Sequence, residues 1–188
     1  MSDLLIQQFE AALKDLVTPL VTVESPAEAV AAVLDALHRR EVTEVVAWAD
    51  PLLDAIGLPG AARQAGVAWV AATPDADPTE LRATAARAGA GVTGADFAVA
   101  ETGTLALLSG PGKPRMVSLL PPLHIAVVRR ERLLANQAAL CKELVRLAAA
   151  GETPSSVNLI TGPSRTADIE HILVRKVHGP GELLVILM

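Results

Sequence analysis

Helix-start signals that alternate with short apolar runs constrain the fold of this 188-residue chain most strongly. Ser25-Pro26-Ala27-Glu28 combines a capping serine, a proline at the first helical position and a glutamate at the third. Asp77-Pro78-Thr79-Glu80 repeats the signal with aspartate as the cap. Apolar runs at 44–48 and 67–71 lie between them and are predicted strands. Alternating strands and helices of this kind predict an α/β fold with a largely parallel sheet.

The middle of the chain predicts a different pairing. Three apolar runs, at 105–108, 116–120 and 123–128, are predicted strands that follow one another closely. Strands so close in sequence cannot enclose crossover helices, so antiparallel pairing is expected among them. We therefore expect a mixed, mostly parallel sheet with helices on both faces, in a three-layer α/β/α arrangement.

The ends of the chain complete this prediction. Residues 2–17 have apolar side chains at helical spacing and predict a peripheral N-terminal helix within residues 1–20. A connector is expected from Thr18 to Ser25. Residues 137–149 predict a helix whose buried face includes Cys141 and Val145, and 182–187 predict a last strand.

Composition limits the classes of function. The net charge of −5 and the scarcity of aromatic side chains argue against a nucleic-acid partner. Cys141 is the one cysteine, so the chain alone cannot supply four thiolates to an iron–sulfur cluster, and the histidines show no shared metal spacing. No apolar run reaches a membrane span and no signal peptide is recognised, so we expect one cytoplasmic domain over 1–188. A homo-oligomer is left open.

The densest motif lies between Leu159 and Gly181. Val157 to Ile160 predict the end of a buried strand, Thr161-Gly162-Pro163 a turn, and Ser164 or Thr166 the cap of a helix that begins near Ala167. A helix start would present free N–H groups, and Arg165 would add a planar cation suited to a carboxylate or phosphate. The alternative is a turn whose arginine pairs with a nearby aspartate.

Three runs together resemble one family: Ala100-Glu101-Thr102-Gly103-Thr104, the stretch from Thr161 to Glu170, and His178-Gly179-Pro180. Their order and spacing resemble the lactate utilisation protein C family of LUD-domain proteins, over about 26–187. The resemblance implies a fold like that of the ribose-5-phosphate isomerase, glucosamine-6-phosphate deaminase and CoA-transferase superfamily. It also implies a role in a bacterial three-protein system that oxidises L-lactate to pyruvate. Lys176 departs from the small residue that family members commonly carry there.

The motifs supply candidate site residues. Glu101 is a candidate nucleophile or base, and His178 a candidate proton donor or acceptor. For each, a purely structural role is the alternative: Glu101 as an acceptor of backbone hydrogen bonds or a partner of Arg165, and His178 as a shaper of its turn. An anion site is expected to include Thr102, Gly103, Thr104, Gly162, Ser164, Arg165 and Thr166.

Two functions are consistent with these residues. The first is an accessory or ligand-binding subunit of a lactate-oxidising system, whose iron–sulfur clusters sit on Cys-rich partner proteins while this chain carries no cofactor. The second is a free-standing acyl- or phospho-metabolite enzyme that uses the same cleft, with Glu101 as nucleophile or base. Whether the chain is itself an enzyme stays open, and no metal is expected in it.

Overall fold

The computed structural model describes residues 3–167, 173–175 and 179–188, and for 165–167 and 173–175 the description covers the backbone. The α-helices among these residues are α1 (Asp3–Asp15), α2 (Pro26–His38), α3 (Pro51–Ala55), α4 (Leu58–Gln64), α5 (Pro78–Arg87), α6 (Met116–Leu119) and α7 (Gln137–Ala149). The strands are β1 (Leu20–Thr22), β2 (Glu44–Trp48), β3 (Ala68–Ala72), β4 (Ala90–Gly94), β5 (Phe97–Val99), β6 (Thr104–Ser109), β7 (Leu123–Val128), β8 (Leu133–Leu134), β9 (Ser156–Ile160), β10 (Arg165–Ala167), β11 (Leu173–Arg175) and β12 (Glu182–Leu187).

A parallel sheet in the order β1-β12-β7-β4-β2-β3 forms the centre of the molecule. Its strands are nearly continuous in apolar residues, as expected where helices cover both faces. β1 was not predicted, because Leu20–Thr22 is a short run beside a proline and was interpreted as part of a connector. The α/β class and the mostly parallel sheet are confirmed, and the assignment to a named superfamily stays a prediction.

Alternate residues of each strand face opposite sides of this sheet. In β2, Val45 and Ala47 join a buried cluster with the apolar faces of α2, α3 and α4. Val46 and Trp48 join a second cluster on the other face, with residues of α1, α5 and α6. Helices therefore lie on both faces, as the sequence predicts.

The antiparallel strands form a second sheet, in the order β8-β5-β6-β9, instead of extending the first. Leu105 and Leu107 of β6 pack into the cluster beneath it, with Phe9 and Leu13 of α1. α7 covers the outer face of β5 and β6 through Leu140. In the chain, β5, β6 and α6 form the crossover from β4 to β7, and β8, α7 and β9 belong to the connection from β7 to β12.

The prediction of a strand at 116–120 is wrong, because Met116–Leu119 is the short helix α6. Its backbone lies directly on Gly91 of β4, where an added Cβ would come 1.9 Å from the Val117 carbonyl oxygen. The run is four apolar residues interrupted by Ser118, whose hydroxyl donates to the Arg115 carbonyl and supports the turn. So short a run does not distinguish helix from strand by its pattern.

The prediction of a helix that begins near Ala167 is also wrong at that residue. Arg165–Ala167 is β10, which pairs antiparallel with β11 as a two-stranded ribbon. Cross-strand pairing of Thr166 with Val174, two β-branched residues, outweighs the local capping signal of Ser164 and Thr166. The N–H groups of a helix start therefore do not support the anion site that the sequence predicts at 165–167.

Two predictions of burial fail on the second sheet. β9 is an edge strand, and Val157 and Leu159 are 38% and 49% exposed instead of buried. On α7 only Leu140 is fully buried, while Cys141 and Val145 are exposed. Both errors have one cause. α7 covers β5, β6 and β8 and leaves β9 uncovered, and one flank of the helix itself faces away from the sheet.

The described residues contain no helix with both the length and the apolar character of a membrane span.

Candidate functional site

The structure brings together the loops that carry the first two motifs. β6 and β9 pair antiparallel with Leu105 opposite Ile160, so the residues before β6 and after β9 are neighbours. Their hydroxyls form a chain in which Thr104 Oγ1 lies 2.7 Å from Thr102 Oγ1 and 2.9 Å from Thr161 Oγ1. The spacing of the two motifs in the sequence thus becomes a contact in the fold.

Helix α1 closes one side of this junction. Gly103 and Gly162 have φ values of +65° and +83°, which glycine adopts without strain. A Cβ added at Gly103 would lie 2.9 Å from Leu16 Cδ1, and one added at Gly162 would lie 3.3 Å from Leu16 Cβ. Both glycines therefore allow the chain just after α1 to pack closely against the two loops.

The third motif joins them through its backbone. The Ser164 amide donates to the Pro180 carbonyl at 2.9 Å, and a Cβ added at Gly179 would lie 3.4 Å from Ser164 Cβ. A cavity of about 420 Å³ opens beside this contact, and we call it the loop cavity. The described residues around it include Ser118, Leu119, His124, the loop 161–164, and Gly179-Pro180.

His124 and Ser118 are the two buried polar residues described around the loop cavity, and His124 carries the titratable group. The His124 side chain is 1% exposed, and its Nε2 lies 2.9 Å from Thr93 Oγ1. Its Nδ1 has no hydrogen-bond partner among the described residues. Burial lowers the pKa of His124 to about 3, so the ring is neutral near pH 7. It can exchange a hydrogen bond with a ligand but cannot supply a positive charge.

The predicted site residues are distributed unevenly around this cavity. Gly162 and Ser164 line it. Glu101 is exposed in the turn before β6, where its amide donates to the Ala135 carbonyl at 3.1 Å, and it does not line the cavity. Thr102 and Gly103 share that turn. The side chains of Arg165 and Thr166, and the whole of His178, lie outside what the structure describes. Their roles stay predictions.

A polar cluster that the sequence analysis missed lies at the carboxyl ends of β2 and β4. Lys113 Nζ lies 3.0 Å from Asp96 Oδ1 and 3.4 Å from Asp50 Oδ2, and it also lies 5.1 Å from the centre of the Trp48 ring. The other carboxylate oxygens accept backbone hydrogen bonds, Asp50 from Leu52 at 2.9 Å and Asp96 from Leu108 at 2.8 Å. Each aspartate thus binds both a backbone amide and the shared lysine.

Burial alone would lower the pKa of Lys113, but the charges and hydrogen bonds of Asp96, and then of Asp50, outweigh it and raise the pKa. The ammonium group is therefore charged and held in place. Each aspartate follows a buried strand at the carboxyl edge of the parallel sheet, where ligands usually bind. That position was the sequence signal that could have identified the cluster. Asp50 is also the N-terminal cap of α3.

Comparison with known proteins identifies the family. The LUD domain model matches residues 6–188, so the chain belongs to the LUD domain family. It is 41% identical over 154 residues to the lactate utilization protein C of Halalkalibacterium halodurans, covering 79% of this chain and 64% of that protein. The corresponding protein of Macrococcus caseolyticus is 38% identical over 138 residues, covering 73% and 58%. The alignments thus span less than two thirds of these curated relatives.

A solved structure supports the fold. The crystal structure of a DUF162 family protein from Deinococcus radiodurans superposes with a TM-score of 0.68 over 97% of this chain and 95% of that chain, at 25% identity. The family resemblance inferred from the three motifs is confirmed.

Proposed function

We propose that the chain is a non-redox component of a bacterial system that oxidises L-lactate to pyruvate, and that it binds a small carboxylate in the loop cavity. Oxidation removes two electrons and two protons from lactate, so an electron acceptor is required. The single cysteine of this chain cannot hold an iron–sulfur cluster alone, so we assign the role of electron acceptor to Cys-rich partner proteins. The names of relatives about 40% identical to the chain support the assignment to lactate utilisation.

One observation carries the choice of site: motif loops far apart in sequence meet around a cavity of about 420 Å³. This volume lies at the lower end of the usual range for small-molecule sites. Ser164 and His124 offer uncharged polar groups for a hydroxyl or keto oxygen. The carboxylate needs a cation, and Arg165 is the candidate that the motif supplies.

The test is reconstitution with the Cys-rich iron–sulfur proteins of a bacterial lactate utilisation system, measured as lactate-dependent dye reduction. Arg165→Lys keeps the charge and loses the paired donors of the planar guanidinium group, so activity should fall about tenfold or more. Arg63→Lys on α4, an exposed arginine on the opposite face of the central sheet, is the matched control and should be fully active. Full activity of Arg165→Ala would refute the role of Arg165 in the site.

The second candidate function is a free-standing acyl- or phospho-metabolite transferase or isomerase with Glu101 as nucleophile or base. The exposed Glu101 carboxylate has no hydrogen-bond partner among the described residues, so it is free to contact a substrate. Its position outside the loop cavity favours the first function. Glu101→Gln distinguishes them: lactate-dependent dye reduction survives under the first function, whereas a partner-independent transferase activity would be lost under the second.

A further inference from the structure

A second and larger hollow lies on the other side of α6. It is a cleft of about 780 Å³ between α5, the 109–116 segment and the start of β9. Leu119 lines both this cleft and the loop cavity, so α6 separates the two. We call it the arginine cleft, because Arg82 of α5 and Arg115, just before α6, both line it.

All ionisable residues described along the arginine cleft are cationic. Arg82 and Arg115 are exposed, and neither has a carboxylate partner among the described residues. Lys113 also lines the cleft, and the two aspartates that hold it line a smaller cavity behind it. Two unpaired guanidinium groups facing one hollow stand out in a chain with a net charge of −5.

Serine hydroxyls and an apolar wall complete the lining. Ser109 Oγ accepts from Asn158 Nδ2 at 3.0 Å, so the hydrogen of this hydroxyl stays available for donation. Ser156 lies beside it at the start of β9. Along α6, Met116, Leu119 and Leu120 present apolar surface, and Leu120 is 42% exposed. The cleft therefore joins a group of donors to an apolar surface.

We propose that the arginine cleft binds a small organic phosphate: a multiply charged oxyanion held by Arg82 and Arg115, with an apolar portion against α6. Guanidinium groups present paired donors that match phosphate oxygens. A volume of about 780 Å³ fits an organic ligand larger than a three-carbon acid. This site is distinct from the loop cavity and does not depend on the function proposed for it.

Binding of the oxyanion by the two arginines is tested by titration calorimetry of the full chain with inorganic pyrophosphate at low salt. Arg82→Ala and Arg115→Ala should each weaken binding about tenfold or more. Arg63→Ala removes the same charge elsewhere on the surface and should change affinity less than about twofold, through the overall field alone. All three arginines are exposed, so each variant should unfold at the wild-type urea concentration.

The apolar half is tested by comparing phenyl phosphate with inorganic phosphate, since the phenyl ring should tighten binding several-fold. No binding of pyrophosphate by the wild type, or equal losses in Arg82→Ala and Arg63→Ala, would overturn the site. Equal affinity for phenyl phosphate and phosphate would overturn the assignment of an organic ligand. Lactate-dependent dye reduction by Arg82→Ala reports on the other proposal, because this variant leaves the loop cavity intact.

Discussion

The loop cavity and the arginine cleft share α6 as a wall, yet their described linings differ in charge. The loop cavity has hydroxyls, backbone groups and a neutral histidine. The arginine cleft has two unpaired guanidinium groups and a paired ammonium group. A four-residue helix thus separates two environments suited to different ligands. Among the described residues, the family motifs therefore line one hollow while the unpaired charges line its neighbour.

Displacing α6 should have the largest effect, because this helix is the wall that the two hollows share. Gly91→Ala places a Cβ 1.9 Å from the Val117 carbonyl oxygen, and backbone on both sides leaves little room to move. We expect a loss of about 3 kcal/mol or more in the free energy of unfolding in urea, and damage to both hollows. Gly60→Ala on α4 adds the same atom where nothing lies within 4 Å, and should be neutral or slightly stabilising. Equal urea midpoints for the two variants would contradict the packing described for α6.

A second test removes the charge behind the arginine cleft. Lys113→Met leaves Asp50 and Asp96 facing each other without their cation, and the three side chains are 25%, 9% and 21% exposed. Because the group is largely buried, we expect a loss of about 3 kcal/mol in urea unfolding.

Lys142→Met on the exposed side of α7 removes an equal charge and should change stability little. If both lysine variants unfold at the same urea concentration, the Asp50–Lys113–Asp96 cluster does not stabilise the fold.

A third test concerns the neutral histidine of the loop cavity. Its pKa is lowered to about 3, so between about pH 6.5 and pH 3 the unfolded chain binds a proton that the folded chain excludes. Stability therefore falls as the pH falls through this window. From pH 7 to pH 5 the contribution of this group is a loss of about 2 kcal/mol.

His124→Gln should lack this part of the pH dependence, whereas His38→Gln on the surface of α2 should keep it. Urea unfolding at the two pH values makes the measurement. Parallel pH profiles for wild type and His124→Gln would show that His124 takes up its proton at the same pH in the folded and the unfolded chain.

The smallest expected loss of stability concerns the junction of the motif loops. Thr104→Val removes the central hydroxyl of the chain from Thr102 to Thr161 while keeping the shape of the side chain. Both outer threonines are exposed and can bind water, so we expect a loss of about 1 kcal/mol. Thr79→Val, at an exposed position in the first turn of α5, is the matched control for the lost hydroxyl. A neutral Thr104→Val variant would mean that the chain of hydroxyls does not help to hold the loops together.

Sequence reasoning succeeded where a local signal and the tertiary environment agree. Ser25 accepts from the Glu28 amide at 3.3 Å, as the capping signal predicts, and Asp77 accepts from Thr79 and Glu80. Such caps depend on residues within one turn of helix. The helix 137–149 and the strands 44–48, 123–128 and 182–187 were predicted with the bounds that are observed.

Prediction from the sequence failed where contacts between residues far apart in the chain determine the local structure. α6 is a helix resting on Gly91, which lies 25 residues before Met116, and no local pattern reveals that contact. Cys141 follows the apolar pattern of α7, but only the width of the second sheet determines which residues of that helix are covered. The Asp50–Lys113–Asp96 cluster was missed for the same reason, since its members belong to three separate loops.

The position of residues 3–22 has a consequence for synthesis on the ribosome. β1 pairs with β12, Leu20 opposite Val185, and Leu16 packs against Gly162. About 160 residues must therefore be translated before this early segment meets its partners, which takes roughly 10–30 s at ordinary elongation rates. Until β6 has been made the apolar face of α1, with Phe9 and Leu13, has no final place to pack, and β1 stays unpaired until β12 is available. Nascent chains of this protein should therefore bind a holdase chaperone through residues 3–22 until β12 has left the exit tunnel.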